Sequence, residues 1–179
     1  FSLVEARFRK FLDVDPEAVC ESVQAAVTVP SLAGMEVLLT AGPTVEDLDP
    51  VRFLSNRSSG RMGAALALAA WRRGARVTVV HGPWQVRLPE LPGLVPVPVR
   101  GAREMHDAVM ARSERAAVAI LCAAVADFTP ARVEGRKIKK GAASGLTLEL
   151  VRTPDILAAL GARAQRPYLV GFAAETHDL

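Results

Sequence analysis

Two stretches of this sequence combine residue types suited to holding phosphates. The first, GPTVEDLDPVRFLSNRSS from Gly42 to Ser59, runs directly into Gly60 and Gly63. Glycines at a helix start let a ligand approach the backbone, where free N–H groups and the helix dipole attract anions. Ser58 and Ser59 can cap such a helix or donate to a phosphate, and Asn56 offers both a donor and an acceptor. The second stretch is AAVADFTPARV from Ala123 to Val133, followed by Arg136-Lys137-Ile138-Lys139-Lys140-Gly141. Small residues ending a strand expose their backbone groups, and Asp127 follows them where open α/β sheets bind ligands. The basic run fits either a solvated surface loop or a mobile flap whose lysines stabilise charge on a transferring phosphoryl group. Likewise, the Ser-Ser-Gly segment alone fits a plain capped helix behind a long loop as well as an anion cradle.

The elements that must position these residues alternate as in a parallel sheet with covering helices. Strands are expected at Met35–Ala41, Arg76–His81, Leu94–Val99, Ala117–Ala124 and Tyr168–Ala173. Pro96 and Pro98 restrict Leu94–Val99 to an edge. Helices are expected at Gly60–Arg73, Ala102–Ser113 and Pro154–Ala164, the last entered through Thr153. Ahead of them, Leu3–Leu12 is amphipathic, and Pro16–Val27 has Asp15 as N-cap with Pro16 at the first helical position. The pattern predicts a Rossmann-like, doubly wound α/β fold with a mostly parallel sheet and helices on both faces. The boundary falls in Val29–Gly34, dividing a helical tail or linker, 1–33, from the main domain, 34–179. An ordinary βα connection takes ~2–6 residues, so the longer Gly42–Ser59 connection points to function.

Composition narrows the function classes. The chain has 179 residues, half of them apolar and 23% charged, which is enough hydrophobic material for one packed domain. Lys and Arg number 22 against 19 Asp and Glu, and a net charge of +3 is too small to imply nucleic acid. No apolar stretch approaches the ~20 residues of a membrane span. Cys20 and Cys122 form neither a disulfide framework nor a metal pattern, and a cytoplasmic location is expected. Cys122 reads as a core residue within its strand rather than a nucleophile, and His81, His106 and His177 have no metal-ligand spacing. The first residue is Phe1, which reads as a trimmed fragment of a longer chain. An NAD(P)-binding oxidoreductase is the main alternative. Against it, the second strand ends His81-Gly82-Pro83 with no carboxylate for a ribose, and Tyr168 has no lysine four residues on.

Together, LLTAGPTVEDLDPVRFLSNRSSGRMG, AAVADFTPARV with KIKK, LVRTPDIL and VGFAAET resemble the phosphopantothenoylcysteine synthetase domain of bifunctional bacterial coenzyme A biosynthesis proteins. The likeness runs from Leu38 to Thr176, with four segments agreeing in order and spacing. It implies a ligase that joins 4′-phosphopantothenate to cysteine: the carboxylate attacks the α-phosphorus of CTP, and the cysteine amine then displaces CMP. By this resemblance Gly42, Ser58, Gly60, Gly63, Lys137 and Phe172 contact the nucleotide. Asn56, Ala123, Ala124 and Asp127 hold phosphopantothenate or its acyl-nucleotide, and Arg52 reaches its phosphate from the other subunit of a homodimer. Asn56 orients the activated acyl group and Lys137 stabilises charge at the phosphates. Mg²⁺ accompanies the triphosphate, with no ligands legible in the sequence. FMN belongs only to a preceding decarboxylase domain, whose tail or linker Phe1–Val27 resembles. The family domain continues beyond the GFAAET segment, so the site is expected to be incomplete in this chain.

Overall fold

The computed structural model describes residues 15–139 and 145–174. Its elements are α1 (Pro16–Ala26), β1 (Glu36–Ala41), β2 (Val45–Asp47), β3 (Phe53–Ser55), α2 (Arg61–Arg72), β4 (Arg76–His81), β5 (Leu94–Pro98), α3 (Ala102–Met110), β6 (Val118–Leu121), β7 (Phe128–Pro130), β8 (Leu150–Arg152), α4 (Ile156–Gly161) and β9 (Tyr168–Gly171). The expected helix at Leu3–Leu12 lies outside the described residues.

Five strands form one sheet in the order β5-β4-β1-β6-β9, and every pairing in it is parallel. The order reverses at β1, as in a doubly wound fold, so the ends of β1 and β6 part and leave a crevice. Side chains of β1 alternate between two cores, as the strand period of two requires. Val37, Leu39 and Ala41 pack with Val77 and Val79 against Ala67 and Ala70 of α2. Leu38 packs on the opposite face with Met105 and Val109 of α3 and Ile156 and Leu160 of α4. Helices therefore cover both faces. The N-cap reading at Asp15 holds, its side chain accepting from the Glu17 N–H at 3.1 Å. Glu21 ties α1 to α2 through a two-bond pair with Arg72 at 2.5 and 2.7 Å.

Four elements differ from the sequence expectation. The Gly42–Ser59 connection is not plain loop, because β2 and β3 pair antiparallel within it. The strand expected over Ala117–Ala124 closes at Leu121, since the Cys122 and Ala123 N–H groups turn to the Thr40 hydroxyl, each at 3.2 Å. The helix expected at Pro154–Ala164 is the single turn and a half of α4. Asp155 caps it, accepting from the Ala158 N–H at 2.8 Å, because the Thr153 hydroxyl is spent on the Ala126 carbonyl at 2.6 Å. Finally, β7 and β8 form a second antiparallel pair outside the main sheet.

Strand β5 is the sheet edge foreseen from Pro96 and Pro98. The Val99 N–H donates to His81 at 2.9 Å, so the alternation of the strand turns the odd-numbered donors toward β4. The two prolines thus occupy the positions whose N–H would point away from the sheet.

Candidate active site

The crevice is shaped by the backbone at 122–127, which leaves β6 and crosses in front of the sheet. It is fixed from several sides. Besides the two bonds to Thr40, the Ala126 N–H donates to the Thr44 hydroxyl at 2.9 Å. The Asn56 side-chain amide donates to the carbonyls of Ala124 and Val125 at 3.1 and 3.2 Å. Gly42 accepts from the Ala124 N–H at 2.9 Å, and the Thr153 N–H donates to the Asp127 carbonyl at 3.0 Å. Thr40 and Thr44 are both buried. A segment without regular structure is thereby held by side chains from β1, the hairpin and the β8–α4 turn, a preorganisation suited to a reacting centre.

Facing it is the start of α2. Gly60 adopts φ +75°, which favours glycine, and supplies no side-chain cap. The Ser58 hydroxyl accepts from the Gly60 N–H at 3.3 Å. Gly63 brings the helix onto the end of β1, where an added Cβ would lie 2.4 Å from that of Ala41. This orientation directs the first helical N–H groups and the positive dipole end into the crevice.

On the other side of β1, Trp84 closes the space above β4. Its ring lies so near Gly60 that an added Cβ there would meet it at 2.5 Å, and it stacks on His81 with centroids 4.3 Å apart. The indole therefore stands where a dinucleotide would cross from β1 toward β4, which disfavours the oxidoreductase alternative.

The resulting cleft has a volume of about 780 Å³ and adjoins a hollow of about 660 Å³. Of the residues expected at the site, Asn56, Ser58, Gly60, Gly63, Ala123, Ala124, Asp127 and Phe172 all line the cleft. Ala123, Asp127 and Phe172 also line the hollow and so stand between the two. Gly42 lies beneath, buried against Trp84, and is not among the lining residues. Lys137 is exposed and lines a separate groove of about 440 Å³, with Leu48 of the hairpin and Leu146–Glu149. Arg52 lines neither cleft nor hollow, since its guanidinium bonds Asp49 and the Ile138 carbonyl. Lys140, Glu175, Thr176 and His177 lie outside the described residues.

Sequence reasoning missed three cations, Arg57 and Arg61 in the cleft and Arg152 in the hollow. The signal for the first two was present, since they bracket the Ser-Ser-Gly helix start. Cys122 corrects its reading as a strand interior residue: it lies one position past β6 and borders the cleft. Burial pushes its thiol above the usual cysteine value, which keeps it protonated and argues against a nucleophile. Asp49 was also missed as a structural residue. Burial opposes its charge, but the Ile138 N–H, the Arg52 guanidinium and the N–H groups of Val51 and Arg52 outweigh that and hold its carboxyl well below the usual range. Among the described residues no group of three His, Cys, Asp or Glu side chains could hold a metal ion. No described helix is long and apolar enough to cross a membrane.

Residues 32–179 match the model of the DNA/pantothenate metabolism flavoprotein C-terminal domain. Among curated relatives, the coenzyme A biosynthesis bifunctional protein CoaBC of Vibrio cholerae is 51% identical over 150 residues, 83% of this chain and 37% of that protein. The protein of the same name from Escherichia coli K12 is 48% identical over 170 residues, 93% of this chain and 41% of that protein. The chain thus spans about two fifths of the length of these relatives. A crystal structure of the C-terminal domain of CoaBC superimposes with a TM-score of 0.71 at 41% identity, covering 82% of this chain and 68% of that one. The parallel sheet, the cleft at its reversal point and the family match agree, and the chain belongs to the DNA/pantothenate metabolism flavoprotein C-terminal domain family.

Proposed function

We propose that this chain carries the greater part of a phosphopantothenate–cysteine ligase site of coenzyme A biosynthesis, within a longer, cytoplasmic protein. The observation that carries the reading is the pinned backbone of 122–127 facing, across one cleft, the start of α2, whose cap residue Gly60 has no side chain. One wall suits phosphates and the other suits an acyl group, as an acyl-nucleotide requires. The relatives named for coenzyme A biosynthesis support the same chemistry.

The carboxylate of 4′-phosphopantothenate attacks the α-phosphorus of CTP, forming an acyl-cytidylate and releasing pyrophosphate. The amine of cysteine then attacks the acyl carbon, forming the amide and expelling CMP. The α2 N-terminus with Ser58, Gly60, Gly63, Arg57 and Arg61 takes the nucleotide phosphates, and Phe172 borders the base. Asn56 spends its N–H donors on Ala124 and Val125, which leaves its Oδ1 as an acceptor toward the substrate amide or the incoming amine. Ala123, Ala124 and Asp127 line the acyl half. Lys137 offsets charge on the phosphates during transfer, and Arg52 serves the substrate phosphate across a homodimer. Mg²⁺ enters as part of the Mg·CTP substrate, bound through the triphosphate. FMN has its place in the decarboxylase portion of the longer protein.

Pyrophosphate release by the full-length protein tests this, with phosphopantothenate and each of the four ribonucleoside triphosphates, with and without cysteine. Release that requires phosphopantothenate and prefers CTP is expected. Preference for ATP would correct the nucleotide alone, and no release with any of the four, from folded protein, would overturn the ligase reading.

A further inference from the structure

The carboxylate of Asp49 divides its two oxygens between two jobs. Oδ1 accepts from the N–H groups of Val51 and Arg52, both at 2.8 Å, which shapes the turn between β2 and β3. Oδ2 accepts from Arg52 Nε at 3.0 Å, Arg52 Nη2 at 2.6 Å and the Ile138 N–H at 3.1 Å. Arg52 Nη2 also donates to the Ile138 carbonyl at 2.6 Å. Both backbone polar groups of Ile138 are therefore bound by one ion pair, and its neighbours Lys137 and Lys139 are exposed on either side. The Asp49 side chain is fully buried while that of Arg52 is 41% exposed, so the pair is anchored from below and open above. A buried carboxylate that collects this many donors holds its geometry firmly.

We infer that Asp49 is a positioning residue: with Arg52 it clamps the backbone of Ile138 and so fixes where Lys137 presents its ammonium group. The inference rests on the ligase reading for the role of Lys137, while the clamp itself does not. It also gives Arg52 a duty within its own chain.

Asp49→Asn separates the two jobs, because one amide oxygen replaces the pair of acceptors and an NH₂ opposes the donors of one set. Ile138→Pro breaks the same contact from the other side by removing the N–H, without touching the hairpin. Both variants of the full-length protein are compared with the parent for tryptic cleavage after Arg136 and Lys139, the sites that Ile138→Pro and Lys137→Gln leave cleavable, and for kcat and KM of pyrophosphate release. Cleavage is expected to rise about tenfold and kcat to fall about tenfold, with KM for cysteine unchanged. Combined with Lys137→Gln, neither variant should lower kcat further, since residues acting as a unit are not additive. Unchanged cleavage in both variants, or effects that add to Lys137→Gln, would overturn the inference. If the parent itself releases no pyrophosphate, the ligase reading fails, and the cleavage comparison still decides whether the clamp exists.

Discussion

The two groups of residues expected to handle phosphates are held by different kinds of contact. The wall at Ser58–Gly63 is set by close packing, with Gly63 against Ala41 and Gly60 against Trp84, all beside the sheet. The Lys137 segment has no such support. It lies outside the main sheet, exposed, and is tied to the hairpin through Asp49 and Arg52. Packing contacts are short-ranged and unforgiving, so the wall cannot change without disturbing the core. The lysine segment hangs on one buried carboxylate and its partner Arg52 rather than on the core, so a change in its exposed side chains leaves the sheet packing intact. The two segments are thus held independently of one another.

That contrast can be broken most directly at Lys137. On the proposed ligase reading, Lys137→Gln should lower the turnover of the full-length protein by roughly a hundredfold or more, as loss of a transition-state charge partner does. Its melting temperature should stay within a degree of the parent, and a parallel fall in both would make the segment part of the core. Gly63→Ala should do the opposite: overpacking against Ala41 is expected to cost about 1–3 kcal/mol in chemical denaturation, with activity falling alongside. Asn56→Asp replaces two N–H donors by oxygen facing the carbonyls of Ala124 and Val125. A stability loss of about 0.5–1.5 kcal/mol is expected, together with weaker use of the acyl-nucleotide near the added charge. Full activity in that variant would remove Asn56 from the site. The smallest effect concerns the thiols: at neutral pH iodoacetamide should modify the exposed Cys20 well before Cys122. Equal rates, followed by peptide mapping, would show that the fixed wall opens readily.

The same contrast explains what was legible in the sequence. Long runs with a clear period announced themselves: Arg76–His81 matches its expected bounds, and the Ala-rich stretch after Gly60 is α2. The hairpin of β2 and β3 did not, because strands of three residues carry too little alternation to register. The β7–β8 pair joins residues on either side of the basic run, a long-range contact with no local signature. Residue types at the cleft, such as Asn56, Ser58 and Asp127, could be read from their motifs. Their partners could not. Nothing local says that the Thr40, Thr44 and Thr153 hydroxyls converge on one six-residue span, or that Asp49 reaches Ile138.

The prolines of β5 give the sheet a direction of growth. With Pro96 and Pro98 in the outward positions, that margin offers a newcomer no N–H donors there. On the opposite margin, Tyr168 and Phe172 turn their N–H groups to the carbonyls of Ala117 and Leu121, so the strand alternation points those of Leu169 and Gly171 outward. Among the described residues no strand pairs with that side of β9. The sheet thus lacks outward N–H donors at Pro96 and Pro98 on one margin and presents them at Leu169 and Gly171 on the other, so the β9 margin is the better suited to pair with a further strand.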